Sequence, residues 1–362
     1  MNQRTYIIFG AGGVGKTTSA AAFAVALAHQ GTRTLVLTTD PARRLADVLG
    51  AANTSAISPV PGVPGLDFYM PNAAVSTREI VNELLADAPE IAGPLQLNPI
   101  FDLLCSGLAG VHELMILASL ASRTSGYDAV VIDTAPSEHA LDLLALPNRI
   151  ATLIDSRALL WLSKLSPAKA EPRRGISMRL IDWGQQRLLS QLENVLGGPA
   201  VAQCLEILRA VVVVRPQLSA AIANAKAILT GKHTDYMVVL APRHGIERQA
   251  KLFADELASI AKPPTTFIVN HVPTAPAWAA ALDAWPTLAG PLRTAIELAI
   301  TDASTAQDAV IRATKAINKL APRARVMCVP SLALATPAQV VAAIAQQLAP
   351  LLPNDVARVA TG

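Results

Sequence analysis

The sequence alternates between short apolar runs and longer stretches with helical periodicity. Each run is followed within a few residues by Gly, Pro, Asp or Asn, which is typical of a buried strand that ends in a turn. Strand, helix and strand in alternation predict an α/β fold with a mostly parallel sheet covered by helices on both faces. The predicted strands are 5–9, 34–38, 127–132, 235–240, 265–269 and 325–329, with 66–70 as a further candidate.

Two long intervals, 72–124 and 150–231, interrupt this alternation and have a mostly helical pattern. We expect them to be helical insertions that pack together as a subdomain. The rest of the chain is predicted to form one domain that spans residues 1–349. Residues 350–362 are predicted to be a C-terminal tail.

The composition narrows the class of protein. The formal net charge is only +3, which does not indicate the basic surface of a dedicated nucleic-acid-binding protein. The three cysteines are far apart, so neither a disulfide framework nor a zinc ribbon is indicated. The longest charge-free stretch, 326–354, contains prolines and glutamines and is predicted to be a buried strand and a helix, not a membrane span. We expect a cytoplasmic protein whose contact with membranes is only indirect.

A glycine-rich motif follows the first predicted strand. Residues 10–17 fit G-x-x-x-x-G-K-[ST] and open a predicted helix, which is the context that a phosphate-binding loop requires. Glycines let successive backbone N–H groups point at phosphate oxygens, and the helix adds its positive N-terminal end. The motif therefore predicts a P-loop NTPase that binds ATP with Mg²⁺. The predicted nucleotide-binding residues are Gly10, Gly12, Gly13, Val14, Gly15, Lys16, Thr17 and Thr18.

Individual roles follow from the chemistry of the bound phosphates. Lys16 is expected to reach the β- and γ-phosphates, and the Thr17 hydroxyl to bind Mg²⁺. Asp133 directly follows one predicted strand, and Asp40 lies just past another. A carboxylate at such a position can hold Mg²⁺, as we expect for Asp133, or orient the attacking water, as we expect for Asp40. Lys16 and Asp40 are thus the predicted catalytic residues. The alternative is that both aspartates are helix N-caps.

The motifs resemble those of the ArsA family, which includes the ATPase of the arsenite efflux pump and the Get-pathway ATPase that targets tail-anchored membrane proteins. Residues 10–18 resemble the family's deviant Walker A loop, and 39–42 its switch I motif T-D-P-A. Residues 133–139 resemble its switch II motif D-T-A-P-T-G-H, and 110–113 its G-[IV]-D-E. A late strand that ends at Asn270 resembles the family's V-N. The resemblance extends from residue 5 to about residue 349.

The resemblance implies more than the motifs alone predict. It implies an ATPase whose two subunits face each other across two nucleotides. It also implies that Asn270 holds the adenine, with the segment after Pro330 beside it. The partner is then either a second copy of this chain or a paralogue.

The sequence departs from the family pattern at several positions. Ala11 replaces the Lys that crosses the dimer interface to the partner's phosphates. Glu138, Asp142 and Arg243 replace the usual Gly, Arg and Glu, and 278–285 takes the place of a zinc-binding Cys pair. Because one cation at the γ-phosphate can change the rate by orders of magnitude, the Ala11 departure predicts slow hydrolysis unless another cation substitutes.

Two sources of that cation stay open. A paralogue that carries the P-loop Lys could supply it in a heterodimer. Alternatively, Arg43 or Arg44, just after switch I, could replace it in a homodimer, although both arginines could simply be solvated on a helix.

Three physiological roles remain open. The favoured role is a nucleotide-dependent switch that acts on an unidentified client protein. The first alternative is a targeting factor that shields hydrophobic helices of membrane proteins. The second is the ATPase subunit of a metalloid efflux pump, for which Cys105 is the thiol nearest to the corresponding region. The basic segment 164–179 is either a solvated loop or a contact for an acidic partner.

Overall fold

A single sheet carries the predicted motifs. The structure, a computed structural model, describes residues 3–40, 42–52, 56–71, 73–107, 118–120, 122–135, 141–155, 197–273, 290–332 and 336–352. The sequence features at 110–113, 136–139, 164–179 and 278–285 lie outside these ranges. The strands of the described ranges are β1 (Arg4–Gly10), β2 (Thr34–Thr38), β3 (Ser58–Pro59), β4 (Leu66–Tyr69), β5 (Ala129–Asp133), β6 (Thr234–Leu240), β7 (Thr266–Val272) and β8 (Arg325–Pro330).

The strand order across the sheet is β3-β4-β2-β5-β1-β6-β7-β8. Every pairing is parallel except that of the short β3 with β4, which is antiparallel. The carboxyl ends of the parallel strands therefore meet at one edge, where ligands bind in open α/β sheets. The helices of the described ranges are α1 (Lys16–His29), α2 (Arg44–Leu49), α3 (Ala73–Leu84), α4 (Pro89–Gln96), α5 (Pro99–Gly107), α6 (Asp142–Ile154), α7 (Gly198–Thr230), α8 (Ile246–Ile260), α9 (Gly290–Leu320) and α10 (Pro337–Leu348).

Helix α1 covers one face of the sheet. Its residues from Ser19 to Ala28 are all buried, because the sheet lies on one side of the helix and α10 packs on the other. A helix that is apolar all round needs this double cover. On the strand side, the ring of Tyr6 meets that of Phe23 edge-on, with centroids 4.8 Å apart.

The opposite face is covered by α8 and α9. Because side chains alternate along a strand, Phe9 points away from α1, and its ring packs edge-on against Tyr236 of β6 with centroids 5.7 Å apart. Helix α9 packs against α8 through buried alanines, and Arg312 of α9 donates to Glu247 of α8 at 3.0 Å. The prediction of an α/β fold with a mostly parallel sheet between two helical layers is confirmed.

The chain divides into two compact units. The first contains the whole sheet and consists of residues 1–70, 126–144 and 228–362. The second consists of residues 71–125 and 145–227, so it contains most of the two intervals predicted as insertions. In the second unit, Phe101 and Cys105 of α5 pack in one apolar cluster with Ala210 and Val214 of α7.

A buried amide joins the two segments of the second unit. The Asn98 side chain is almost fully buried and donates to the backbone oxygen of Gln203 and to the carboxylate of Glu206. Its oxygen accepts from the backbone N–H groups of Ile100 and Phe101 at the start of α5. One side chain thus satisfies donors of a helix terminus and links two distant parts of the chain.

Two boundaries differ from the prediction. Strand β7 continues to Val272, past its predicted end at residue 269, because Val272 pairs with Pro330 of β8 after a shift of register. The packed core also continues beyond residue 349, since Leu351 and Leu352 are buried in the cluster around α1. Among the helices that the structure describes, none combines the length and apolarity needed to cross a bilayer.

Candidate functional site

The phosphate loop connects β1 to α1 at the carboxyl edge of the sheet, as its sequence context predicted. Two of its glycines are required by their surroundings. A Cβ atom on Gly10 would lie 2.6 Å from the carbonyl oxygen of Val239 in the neighbouring strand. Gly15 has φ 84°, and a Cβ atom there would collide with the side-chain amide of Asn270. At Gly12, in contrast, a Cβ atom would meet no described atom within 4 Å, so the glycine is not needed for packing.

Lys16 begins α1 and is only 7% exposed. Burial lowers the pKa of its ammonium group from the ordinary value, while the charges of Asp133 and Asp40 oppose this shift. The positive charge of Arg44 adds to the lowering. The structure therefore brings the predicted catalytic lysine and both predicted carboxylates into one electrostatic cluster, with Arg44 near it.

Asp133 ends β5 and is 1% exposed. Desolvation raises its pKa to about 6, and the nearby charge of Asp40 adds to the effect. Lys16 lowers this pKa, as do hydrogen bonds from the hydroxyls of Thr17 and Thr38. The bond from Thr38 joins its Oγ1 to Asp133 Oδ2 at 3.3 Å, whereas Oδ1 is buried and accepts no hydrogen bond from the described residues.

An unpaired carboxylate oxygen in a buried position is costly unless a ligand completes it. A divalent cation fits this position, because Asp133 and the Thr17 hydroxyl present the hard oxygen ligands that Mg²⁺ prefers. These are the two residues that the sequence predicted as metal ligands.

Asp40 follows β2 and is 9% exposed. Its Oδ1 accepts from the backbone N–H of Ala42 at 2.9 Å, and its own N–H donates to Thr38 Oγ1 at 3.1 Å. The carboxylate therefore supports the turn that leads into α2. It is not the N-cap of that helix, as the alternative had proposed, because the N-cap residue is Arg43. The turn uses one oxygen of the Asp40 carboxylate, and the charge of this carboxylate still acts on Lys16 and Asp133.

The loops after β2 and β5 are joined by hydrogen bonds that sequence reasoning did not anticipate. The Thr39 N–H donates to the Asp133 carbonyl at 2.9 Å, and the Ala135 N–H donates to Thr39 Oγ1 at 3.1 Å. Thr134 Oγ1 donates to the Ile8 carbonyl of β1 at 2.8 Å. The sequence signal for these bonds was the pair of threonines before Asp40. It could not be interpreted without knowing that β2 and β5 are neighbours in the sheet.

Asn270 lies within β7, two strands from the phosphate loop, and is 2% exposed. Its Nδ2 donates to the backbone carbonyl of Val14 at 3.0 Å. Since an amide has two N–H donors and an acceptor oxygen, one donor and the oxygen remain for a ligand. Pro330 ends the neighbouring β8 and pairs with Val272.

The departure at Ala11 has a defined environment. Ala11 is half-buried and packs against the apolar cluster around α1. Arg43 and Arg44, the two arginines considered as substitutes for the family's lysine, are exposed at the start of α2. The charge of Arg44 acts on Lys16.

Comparison with known proteins supports the same interpretation. Residues 3–195, more than half of the chain, match the family model of the ArsA ATPases, described as anion-transporting ATPases. The chain therefore belongs to the ArsA ATPase family.

Three relatives with curated names each match about half of the chain or less. The arsenical pump-driving ATPase of Acidiphilium multivorum is 33% identical over 160 residues, which are 43% of this chain and 27% of that protein. The ATPase ASNA1 homolog 1 of Paramecium tetraurelia is 32% identical over 170 residues, 41% of this chain and 45% of that protein. The ATPase GET3A of Arabidopsis thaliana is 28% identical over 188 residues, 51% of this chain and 50% of that protein. The chain thus spans between about a quarter and a half of the length of these relatives.

Proposed function

We propose that this protein binds Mg·ATP at residues 10–17, hydrolyses it slowly on its own, and acts as a nucleotide-dependent switch on a protein partner. The observation that carries the proposal is the buried Asp133, whose Oδ1 accepts no hydrogen bond from the described residues, beside Lys16 and Thr17. A site built to be complete without a ligand would not leave a buried carboxylate in this state.

The residues of the site divide the work of binding and hydrolysis. The backbone N–H groups of the loop and the Lys16 ammonium hold the phosphates, and Thr17 and Asp133 hold the metal. Bound Mg²⁺ supplies charge neutralisation at the phosphate oxygens. Asp40 accepts a hydrogen bond from the attacking water through the carboxylate oxygen that the Ala42 turn does not use.

The hydrogen bonds between the loops after β2 and β5 support the switch. Thr39 bonds both the Asp133 carbonyl and the Ala135 N–H, so a shift of Asp133 on metal binding is transmitted to both loops. Ala11 supplies no charge to a partner's phosphates, which favours slow turnover. The partner is a second copy of this chain or a paralogue that carries the missing lysine.

The alternative of a metalloid-pump subunit has less support from the structure. Cys105 is buried in the apolar cluster of the second unit, and burial raises the pKa of its thiol, although the charge of Arg78 opposes the shift. Soft metalloid ions bind thiolates, and a buried thiol with a raised pKa is a poor source of one.

A second candidate function is the shielding of hydrophobic helices of membrane proteins. Two large apolar side chains of the second unit favour it. Leu97 is 86% exposed and Leu103 is 67% exposed. Contiguous exposed apolar patches mark protein or membrane interaction sites, and Leu97 and Leu103 are the candidates for such a patch. Recovery of membrane proteins with a single hydrophobic helix in complex with this protein, lost in Leu97→Asp and Leu103→Asp variants, would favour this candidate.

Calorimetry and light scattering test the main proposal. We expect wild type to bind Mg·ATP and Lys16→Ala to bind it at least ~10-fold more weakly, a loss of ~1.4 kcal/mol or more. Lys315→Ala, at an exposed position on α9, is the matched control. The molar mass of wild type, alone or mixed with a Lys-bearing paralogue, is expected to differ between Mg·ATP and Mg·ADP. Equal ATP affinity in the Lys16 and Lys315 variants contradicts the binding site, and equal mass in both nucleotides contradicts the switch.

A further inference from the structure

His271 has a left-handed backbone conformation. Its φ is 58°, and within the described ranges it is the one non-glycine residue with positive φ. This conformation is unfavourable for a residue with a Cβ atom, so it persists only where the surrounding structure imposes it. His271 lies in β7 where the pairing with β8 shifts register between Val269 and Val272. A bulge of this kind changes the direction in which a side chain points.

The redirected imidazole lies against the phosphate loop. His271 Nε2 is 3.1 Å from the position that a Cβ atom on Gly15 would occupy. Gly15 is the residue through which the loop enters α1, and its N–H side faces the ligand in a phosphate-binding loop. The His271 side chain is exposed, so the ring contacts the loop and is still accessible to a ligand that lies on it.

The sheet order shows which end of a nucleotide His271 can reach. Asp133 ends β5 and Asp40 follows β2, and both strands lie on one side of β1. Asn270 and His271 belong to β7, which lies on the other side of β1. A nucleotide whose terminal phosphate meets the two carboxylates therefore has its α-phosphate and nucleoside on the β7 side of the loop.

We propose that His271 is a nucleotide-contacting residue that donates a hydrogen bond from Nε2–H to the α-phosphate. This inference rests on the proposed ATP-binding function and adds a contact that the phosphate-loop motif does not contain. The bulge and the left-handed backbone direct the imidazole toward the loop. ATP and ADP both present the α-phosphate, so the contact is made in both nucleotide states.

Calorimetry of three His271 variants separates the side chain from the backbone. His271→Gly keeps the left-handed conformation without strain and removes the imidazole, and we expect it to bind ATP and ADP each about tenfold more weakly. His271→Asn, which tolerates the same conformation and has an N–H donor, is expected to recover part of the affinity. His29→Ala, at the other end of α1, is the control. Wild-type affinity for ATP and ADP in His271→Gly overturns the inference. The same holds if His271→Ala alone binds more weakly, because alanine also strains the left-handed backbone.

Chemical modification gives a second measurement that a purely structural role would not change. Diethyl pyrocarbonate is expected to modify His271 in the nucleotide-free wild type, and ADP is expected to protect it while leaving the modification of His29 unchanged. Equal modification of His271 with and without saturating ADP overturns the inference. A wild type that binds neither ATP nor ADP overturns the proposed function itself, whereas binding that is lost in Lys16→Ala and retained in His271→Gly overturns only the role of His271.

Discussion

The Nδ2 of Asn270 donates to the carbonyl oxygen of Val14 across 3.0 Å, although 256 positions separate the two residues in the chain. The same amide packs against Gly15, so the side chain of Asn270 contacts the phosphate loop at two residues. The residue that we propose to bind the base therefore also supports the loop that we propose to bind the phosphates. One N–H and the carbonyl oxygen of the amide remain for the adenine edge.

This double role makes Asn270→Ala informative. We expect the substitution to weaken ATP binding and to reduce the preference for ATP over GTP, because both the loop support and the base contact are lost. Calorimetry with the two nucleotides measures both effects. Asn318→Ala, at an exposed position on α9, should behave as wild type. An Asn270→Ala variant that discriminates between ATP and GTP as well as wild type does would show that the base binds elsewhere.

The raised pKa of Asp133 makes the stability of the nucleotide-free protein depend on pH. Its pKa in the folded, nucleotide-free protein is about 6, against an ordinary value of 3.8. Because the folded-state pKa is raised, the stability associated with the protonated carboxyl is complete below pH 3.8 and is lost as the pH rises through about 6. At neutral pH the ionised, buried carboxylate therefore destabilises the nucleotide-free fold.

Asp133→Asn is accordingly expected to stabilise the nucleotide-free protein at pH 7.5, by about 3 kcal/mol. The gain should shrink as the pH falls from 7 to 5. With Mg·ATP the order should reverse, because wild type gains binding energy that the variant lacks. Urea unfolding across this pH range, with Asp302→Asn as an exposed control, measures the difference. A variant that is less stable than wild type at pH 7.5 without nucleotide would contradict this description of the site.

The role of Asp40 can be separated from its support of the turn. Asparagine keeps an oxygen for the Ala42 N–H, so Asp40→Asn should preserve the turn and nearly preserve Mg·ATP binding. We expect it to stop turnover, because the neutral amide is a poor acceptor for the water that becomes the nucleophile. Phosphate release and calorimetry measure the two properties. If Asp40→Asn hydrolyses ATP at the wild-type rate while Asp40→Ala does not, the carboxylate serves only the turn.

Ala11 and Arg44 test the source of the missing positive charge. Restoring the family's lysine by Ala11→Lys should raise the hydrolysis rate if the chain pairs with itself. If Arg44 substitutes for that lysine in wild type, Arg44→Ala should lower the rate further and should have little effect in the Ala11→Lys background. Steady-state phosphate release in the four proteins of this double-mutant cycle gives the answer. Wild-type turnover at ~1–10 s⁻¹ with a harmless Arg44→Ala would contradict slow hydrolysis.

The class of fold was accessible from the sequence because it depends on local patterns. The apolar runs 34–38 and 235–240 coincide with β2 and β6 within one residue, and the predicted helix after the phosphate loop is α1. The boundaries of β7 were less accessible. Its extension to Val272 depends on pairing with β8 after a shift of register, which no local pattern contains.

The sequence by itself determined the strand–loop–helix unit of residues 4–29, since glycines, lysine and helix start all follow one another along the chain. It also determined which polar residues stand at strand ends. Only the tertiary structure decided the contacts between them: the Asn270 amide on Val14, Thr39 between two loops, and the His271 imidazole beside Gly15. These contacts depend on strand order and on a left-handed residue in a bulge. The Asn270–Val14 hydrogen bond joins residues 256 positions apart, and the bulge forms where β7 pairs with β8, so a local pattern encodes neither.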